Sequence, residues 1–212
     1  MLIVRGVAWT IGGRWKDWVA VRFDFSEKSI TFAIKLAVAA CPAVFEGLVI
    51  DFKHLMDKNK ENATITIGVD LGGTNTVFAL VDPDGNIIDK SSFPTFMPSA
   101  EAWADKLASG VREMISECAE GACIIGMGIG APCANASSGC IEGAANLPWP
   151  TPIPIVEMMR ERLGLPVRIN NDANTAAIGE MAYGEARGLD NFMVITLGTG
   201  VGGGVVCNGH LL

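Results

Sequence analysis

A chain of 212 residues, 50% hydrophobic and 18% charged, is long enough to bury a core and too apolar to be disordered. Its formal net charge of −7 argues against nucleic acid as a partner, because backbone binding depends on clustered lysine and arginine. Six cysteines without a CxxC pair exclude the usual zinc and redox spacings and read as reduced, mostly buried thiols of a cytoplasmic protein.

The first quarter stands apart. Residues 1–55 carry seven basic and five acidic side chains, leaving nine and eighteen for the rest, and hold eight of the fifteen aromatics. Trp9, Trp15, Trp18, Phe23 and Phe25 follow no clear period. Residues 30–50 are apolar, but Lys35, Pro42 and Glu46 interrupt them, so they do not form a membrane span of about 20 apolar residues. No basic start leads into a clean apolar core, so there is no secretory signal either. Residues 1–62 therefore read as an atypical extension. Either it is native, or Met56 is the natural start, followed by the polar lead DKNKENA.

From Ala63 the order is coherent. Residues 64–69, 76–81 and 86–93 are predicted strands, with the turn Asp82-Pro-Asp-Gly85 between the last two. Residues 99–119 form an amphipathic helix with Ser99 as N-cap; Trp103, Leu107, Val111, Met114, Ile115 and Cys118 fall on its sheet-facing side. A buried strand over 122–129 runs into Gly130-Ala-Pro132. A loop containing NLPW (146–149) leads to a helix over 153–163 that ends at Gly164. A short strand (167–170), a helix (173–186) and a strand pair (192–197, 201–206) complete the chain. A three-strand meander that gains strands through helical crossovers is a mixed α/β design, and ligands collect at the carboxyl ends of its strands. Asp70, Pro132, Asn171, Asp172 and Thr196 all fall at such ends.

Two glycine-rich turns carry the chemistry: DLGGTNT (70–76) and TLGTGVGGG (196–204), each leaving a strand. Gly72 and Gly73 can adopt positive φ and approach a phosphate closely, so that backbone N–H groups point at the anion. Thr74 and Thr199 add hydroxyl donors. A carboxylate beside phosphate implies a divalent cation, which Asp70 would hold directly or through water. Either turn alone also fits a tight hairpin. Val69-Asp-Leu-Gly and Ile195-Thr-Leu-Gly, however, repeat one strand-turn-strand unit, which favours a phosphate cradled from two sides. Neither the Walker nor the dinucleotide fingerprint fits. In Asn170-Asn-Asp-Ala-Asn174, Asp172 opens a helix and reads either as an N-cap or as the base for an attacking alcohol; its place at a strand end beside the phosphate turns favours the base. Asn146 and Asn171 suit a polyol, and Trp149 either packs on a sugar ring or fills its loop. Cys133 and Cys140 could face one another across a hairpin.

In order, DLGGTNT, GIGAP (128–132), NLPW, NNDAN and TLGTGVGGG closely resemble the ROK family of bacterial sugar kinases, in the actin, Hsp70 and hexokinase superfamily, over about residues 63–212. The resemblance implies a ribonuclease H-like (actin-like ATPase) fold, with a first lobe over 63–190 and the opening hairpin of a second lobe over 191–212. It assigns ATP phosphates to Asp70, Gly72, Gly73 and Thr74 on one side and Gly198, Thr199 and Gly200 on the other. Asp70 would hold Mg2+ through water, Asp172 would be the catalytic base, and Asn146, Asn171 and Pro132 would contact sugar. The implied reaction is glucokinase-like, the ATP-dependent phosphorylation of a hexose or amino sugar. A structural zinc belongs beyond Leu212 in such proteins, and Cys207 and His210 do not match its motif. The implied partners are sugar and ATP, without nucleic acid or membrane, and a homodimer for the parent protein. A ROK-type repressor is the second reading, although residues 1–62 show no helix-turn-helix. An actin- or chaperone-like ATPase is the third, and leaves NLPW and NNDAN without a polyol. The chain alone is expected to turn over little ATP, and residues 191–212 must pack on the first lobe to be ordered, because a lone hairpin is marginal in water.

Overall fold

The computed structural model describes residues 2–5, 64–144, 146–197 and 201–212. The remainder of the N-terminal extension, with Cys41, Met56 and the tryptophans at 9, 15 and 18, lies outside the described residues, as do Gly198, Thr199 and Gly200. Strand β1 (Leu2–Arg5) belongs to a second sheet described below.

The main sheet grows from an antiparallel meander of β2 (Thr64–Leu71), β3 (Asn75–Val81) and β4 (Ile87–Pro94). The β3–β4 turn is fixed locally. Gly85 takes φ 81°, and the Asp82 carboxylate accepts the Asn86 N–H at 2.8 Å. Helix α1 (Ala100–Cys118) starts where the Ser99 hydroxyl accepts the Ala102 N–H at 3.1 Å, and it buries Trp103, Leu107, Val111 and Met114. Strand β5 (Cys123–Ala131) then pairs parallel to β2. A small hairpin, β6 (Ala134–Asn135) and β7 (Cys140–Ile141), leads into the NLPW loop. Helix α2 (Ile155–Leu163) stops at Gly164 in the left-handed conformation, and β8 (Val167–Asn171) pairs parallel to β5. The order is β4-β3-β2-β5-β8, a five-stranded mixed sheet with flanking helices. The α/β expectation holds in order and pairing.

Helix α3 (Asp172–Tyr183) carries the second sheet. It ends three residues earlier than expected, because the Glu180 carboxylate accepts the Glu185 N–H at 2.8 Å and the chain leaves at an extended Gly184. Strands β9 (Phe192–Leu197), β10 (Val201–Cys207) and β11 (His210–Leu211) follow, and β1 lies antiparallel on the other side of β9. Phe192, Val194 and Val206 bury against Ala176 and Ala177 of α3, so the described part of the hairpin is packed on that helix.

The cysteine expectation is corrected. Among the described residues, Cys118, Cys133 and Cys207 are exposed and Cys123 and Cys140 are half-buried, because these residues sit at ends of elements rather than within faces. Cys118 in particular closes α1 at the surface, where its thiol reaches a carboxylate oxygen of Asp89 on the edge strand β4 at 3.7 Å, so it faces the sheet without being buried. Cys133 and Cys140 are not opposed either: Cys140 pairs with Asn135, and Cys133 lies opposite Glu142. No helix among the described residues is long and apolar enough to cross a membrane.

Candidate active site

Parallel pairing sets the site. Asp70 of β2 lies level with Gly130 of β5, and Gly130 with Asn170 of β8. Two residues further along each strand the chain therefore leaves the same sheet edge, at the Gly72 turn, at Pro132 and at Asp172.

The Gly72 turn differs from expectation in its backbone. The Gly72 N–H donates to Asn75 O at 3.1 Å, so that amide is spent within the turn, and neither Gly72 nor Gly73 takes positive φ. Close approach, not a left-handed φ, is what requires glycine. A Cβ on Gly72 would stand 2.9 Å from Asn75 O, and one on Gly73 would stand 3.0 Å from Asn146 Nδ2 and 3.2 Å from Asn146 O. The asparagine of NLPW thus lies against the first glycine turn.

Asp172 is the first residue of α3, and the cap is Asn171, whose Oδ1 accepts the Ala173 N–H at 3.0 Å. Asp172 Oδ1 reaches the same N–H at 2.7 Å, and its side chain is exposed. The Asp70 carboxyl is pushed up to about 6, mainly by its removal from water and then by the negative charge of Asp172. The two carboxylates therefore share one edge. Pro132 is half-buried where β5 ends, and Thr74 is exposed on the turn. Trp149 is not available to a ligand. Its ring is buried 6.0 Å from that of Trp103, and its indole N–H donates to Met97 O at 3.0 Å, so it fills its loop.

The second strand-turn-strand unit arrives beside Asp172. Gly202 of β10 pairs with Thr196 of β9, and a Cβ there would meet Thr196 Oγ1 at 2.6 Å, Ala173 Cβ at 2.9 Å and Asp172 Oδ1 at 4.0 Å. The proposed donors Gly198, Thr199 and Gly200 lie outside the described residues.

The family model described as "ROK family" matches residues 66–212. The chain belongs to the ROK family. It is 39% identical over 155 residues to a glucokinase of Halalkalibacterium halodurans, covering 69% of this chain and 45% of that protein. Among solved structures it resembles a ROK family glucokinase from Streptomyces griseus in complex with glucose and AMPPNP, at 34% identity and TM-score 0.58, over 70% of this chain and 46% of that one. A ROK hexokinase from Thermus thermophilus matches at 33% identity and TM-score 0.61, over 70% and 48%. The chain spans about half the length of the curated relatives it matches.

In this ROK chain a further group of residues, not singled out from the sequence as part of the site, lies beneath the first turn. Thr76 and Thr95 are fully buried; their hydroxyls are 2.9 Å apart, Trp103 Nε1 donates to Thr76 Oγ1 at 2.8 Å, and Thr95 Oγ1 donates to Gly72 O at 2.7 Å. One signal pointed there: a tryptophan on the buried face of a helix needs an acceptor for its indole N–H.

Proposed function

We propose that this chain supplies the sugar-binding lobe, over residues 63–190, and the start of the second lobe, over 191–212, of an ATP-dependent sugar kinase of glucokinase type. What carries the reading is the convergence of Asp70, the Gly73–Asn146 contact and Asp172 on one sheet edge. Asn146, Pro132 and the Nδ2 amide of Asn171, whose Oδ1 caps the helix, hold the acceptor sugar. The Asp172 carboxylate accepts the proton of the attacking hydroxyl, a contribution worth about 10²- to 10⁴-fold in rate. The amides of Gly73 and Asn75, the Thr74 hydroxyl and the turn at Gly198, Thr199 and Gly200 receive the phosphates.

The donor set suits magnesium. A carboxylate drawn out of water beside a second negative charge gains from a hard cation, and no group of three acidic, histidine or cysteine side chains gathers among the described residues. An ion at Asp70 would thus complete its shell from water and phosphate oxygens and, when bound, neutralise phosphate charge.

The test uses the longest protein that contains this chain. Calorimetry with a panel of hexoses and amino sugars should find one that binds, and a coupled assay with ATP should show turnover. Asp172→Asn should lower kcat by about 10²- to 10⁴-fold while sugar still binds. Sugar binding without turnover in the wild type would favour a sensor, and no sugar response would favour an ATPase of another kind. The 212-residue chain by itself should turn over little ATP.

A further inference from the structure

The buried hydroxyls beneath the first turn have a fixed direction. Thr95 has one hydroxyl proton and gives it to Gly72 O, so across the 2.9 Å contact it is Thr76 that donates and Thr95 that accepts. Thr76 in turn accepts from the Trp103 indole, which can only donate. The chain therefore runs one way, from Trp103 through Thr76 and Thr95 to the carbonyl of Gly72. Thr95 also donates its backbone N–H to Thr74 O at 2.9 Å, so one residue grips the turn at two carbonyls.

That grip decides where the turn's amides point. A trans peptide is planar, with its C=O and the following N–H on opposite sides. Drawing the Gly72 carbonyl inward to Thr95 turns the Gly73 N–H outward, and drawing in the Thr74 carbonyl does the same for the Asn75 N–H. The Gly72 N–H is already bound to Asn75 O, so the outward amides are what the turn has left to offer an anion.

We infer that Thr95, backed by Thr76 and Trp103, is a positioning residue that aims the first turn's amides at a nucleotide phosphate. The inference rests on the kinase reading above and adds to it a residue that touches no substrate.

The experiment compares Thr95→Val, which keeps the shape and removes the hydroxyl, with Thr95→Ser, which keeps the hydroxyl. It is run in the longest protein that contains this chain, with AMPPNP and Mg2+ and with the sugar found by calorimetry. The valine variant should weaken AMPPNP binding about tenfold, as loss of one buried hydrogen bond would, and leave sugar binding within about twofold. Serine should restore nucleotide binding. Amide exchange at Gly72 should accelerate in the valine variant while amides of β5 keep their protection. Thr76→Val retains the bond from Thr95 to Gly72 and should show a smaller effect in the same direction; it also serves if Thr95→Val does not fold. Equal weakening of sugar and nucleotide, or unchanged nucleotide affinity with unchanged Gly72 exchange, would overturn the inference. A wild-type chain that binds neither ligand would count against the kinase reading instead, and the Gly72 exchange rate would then decide whether Thr95 holds the turn.

Discussion

The two strand-turn-strand units share a sequence pattern but are anchored by different physics. The first, β2 to β3, is tied down from below by directed hydrogen bonds: Trp103 to Thr76, Thr76 to Thr95 and Thr95 to Gly72 O. The second, β9 to β10, is held by shape, because Gly202 and Gly204 let β10 lie directly on Ala173 and Ala177 of α3. At equivalent positions stand Asp70, with a raised pKa, and Thr196, a neutral hydroxyl packed against Gly202. Two units of similar sequence thus divide charge from packing between them.

The largest effect expected from this contrast is at Gly204. A Cβ there would stand 2.5 Å from Ala173 O and 2.8 Å from Ala177 Cβ, on a helix backbone that cannot yield cheaply. Gly204→Ala should cost roughly 3 kcal/mol in denaturant unfolding and should loosen β9 and β10 in amide exchange before the main sheet. A cost under about 0.5 kcal/mol, the range of ordinary surface changes, would show that shape does not hold the second unit.

Asp70 comes next. Its folded-state pKa of about 6 lies above the ordinary 3.8, so the folded chain binds the proton more tightly than the unfolded one. Stability is therefore greatest below about pH 4 for this group and falls as pH rises through about 6. In metal-free buffer at pH 8, Asp70→Asn should be more stable than wild type by up to roughly 3 kcal/mol, from a shift of about two units, and the gain should vanish below about pH 4. Urea midpoints across that range check it; parallel curves for the two proteins would place Asp70 in water.

The smallest stability effect belongs to Gly73. Its added Cβ would meet Asn146 Nδ2 at 3.0 Å and Asn146 O at 3.2 Å, but Asn146 is exposed and sits on a loop that can give way. Gly73→Ala should cost less than about 1 kcal/mol in unfolding and still weaken sugar binding several-fold by displacing Asn146, as calorimetry would show. A large unfolding cost with unchanged sugar affinity would reverse the assignment of that contact.

What the sequence made legible was chemistry that acts locally or repeats. Asp82 and Gly85 declared their turn, Ser99 its cap and Gly164 a helix end, because each satisfies backbone groups within a few residues. Asp70, Pro132 and Asp172 could be brought together in advance because parallel strands share a carboxyl edge. The rest depended on contacts across long loops. Thr76 and Thr95 are separated by 19 residues, and Trp103 and Thr76 by 27, and a single buried hydroxyl leaves no periodic mark. Trp149 had two equal readings until its indole partner at Met97 was placed. The pairing of Leu2–Arg5 with β9 joins the two ends of the chain, and four apolar or basic residues do not announce such a partner. The left-handed φ expected at Gly72 and Gly73 failed for a similar reason: the neighbour that excludes a side chain from Gly73 is Asn146, far along the sequence.

Helix α3 does two jobs at once. Its first residue is Asp172, at the edge of the main sheet, and Ala173 beside it and Ala177 a turn further on form the bed on which β10 rests. A rod of twelve residues is stiff over its length of about 18 Å. The hairpin and the carboxylate are therefore mounted on a single lever, so that any displacement of the second sheet that carries α3 with it also moves Asp172 relative to the main sheet.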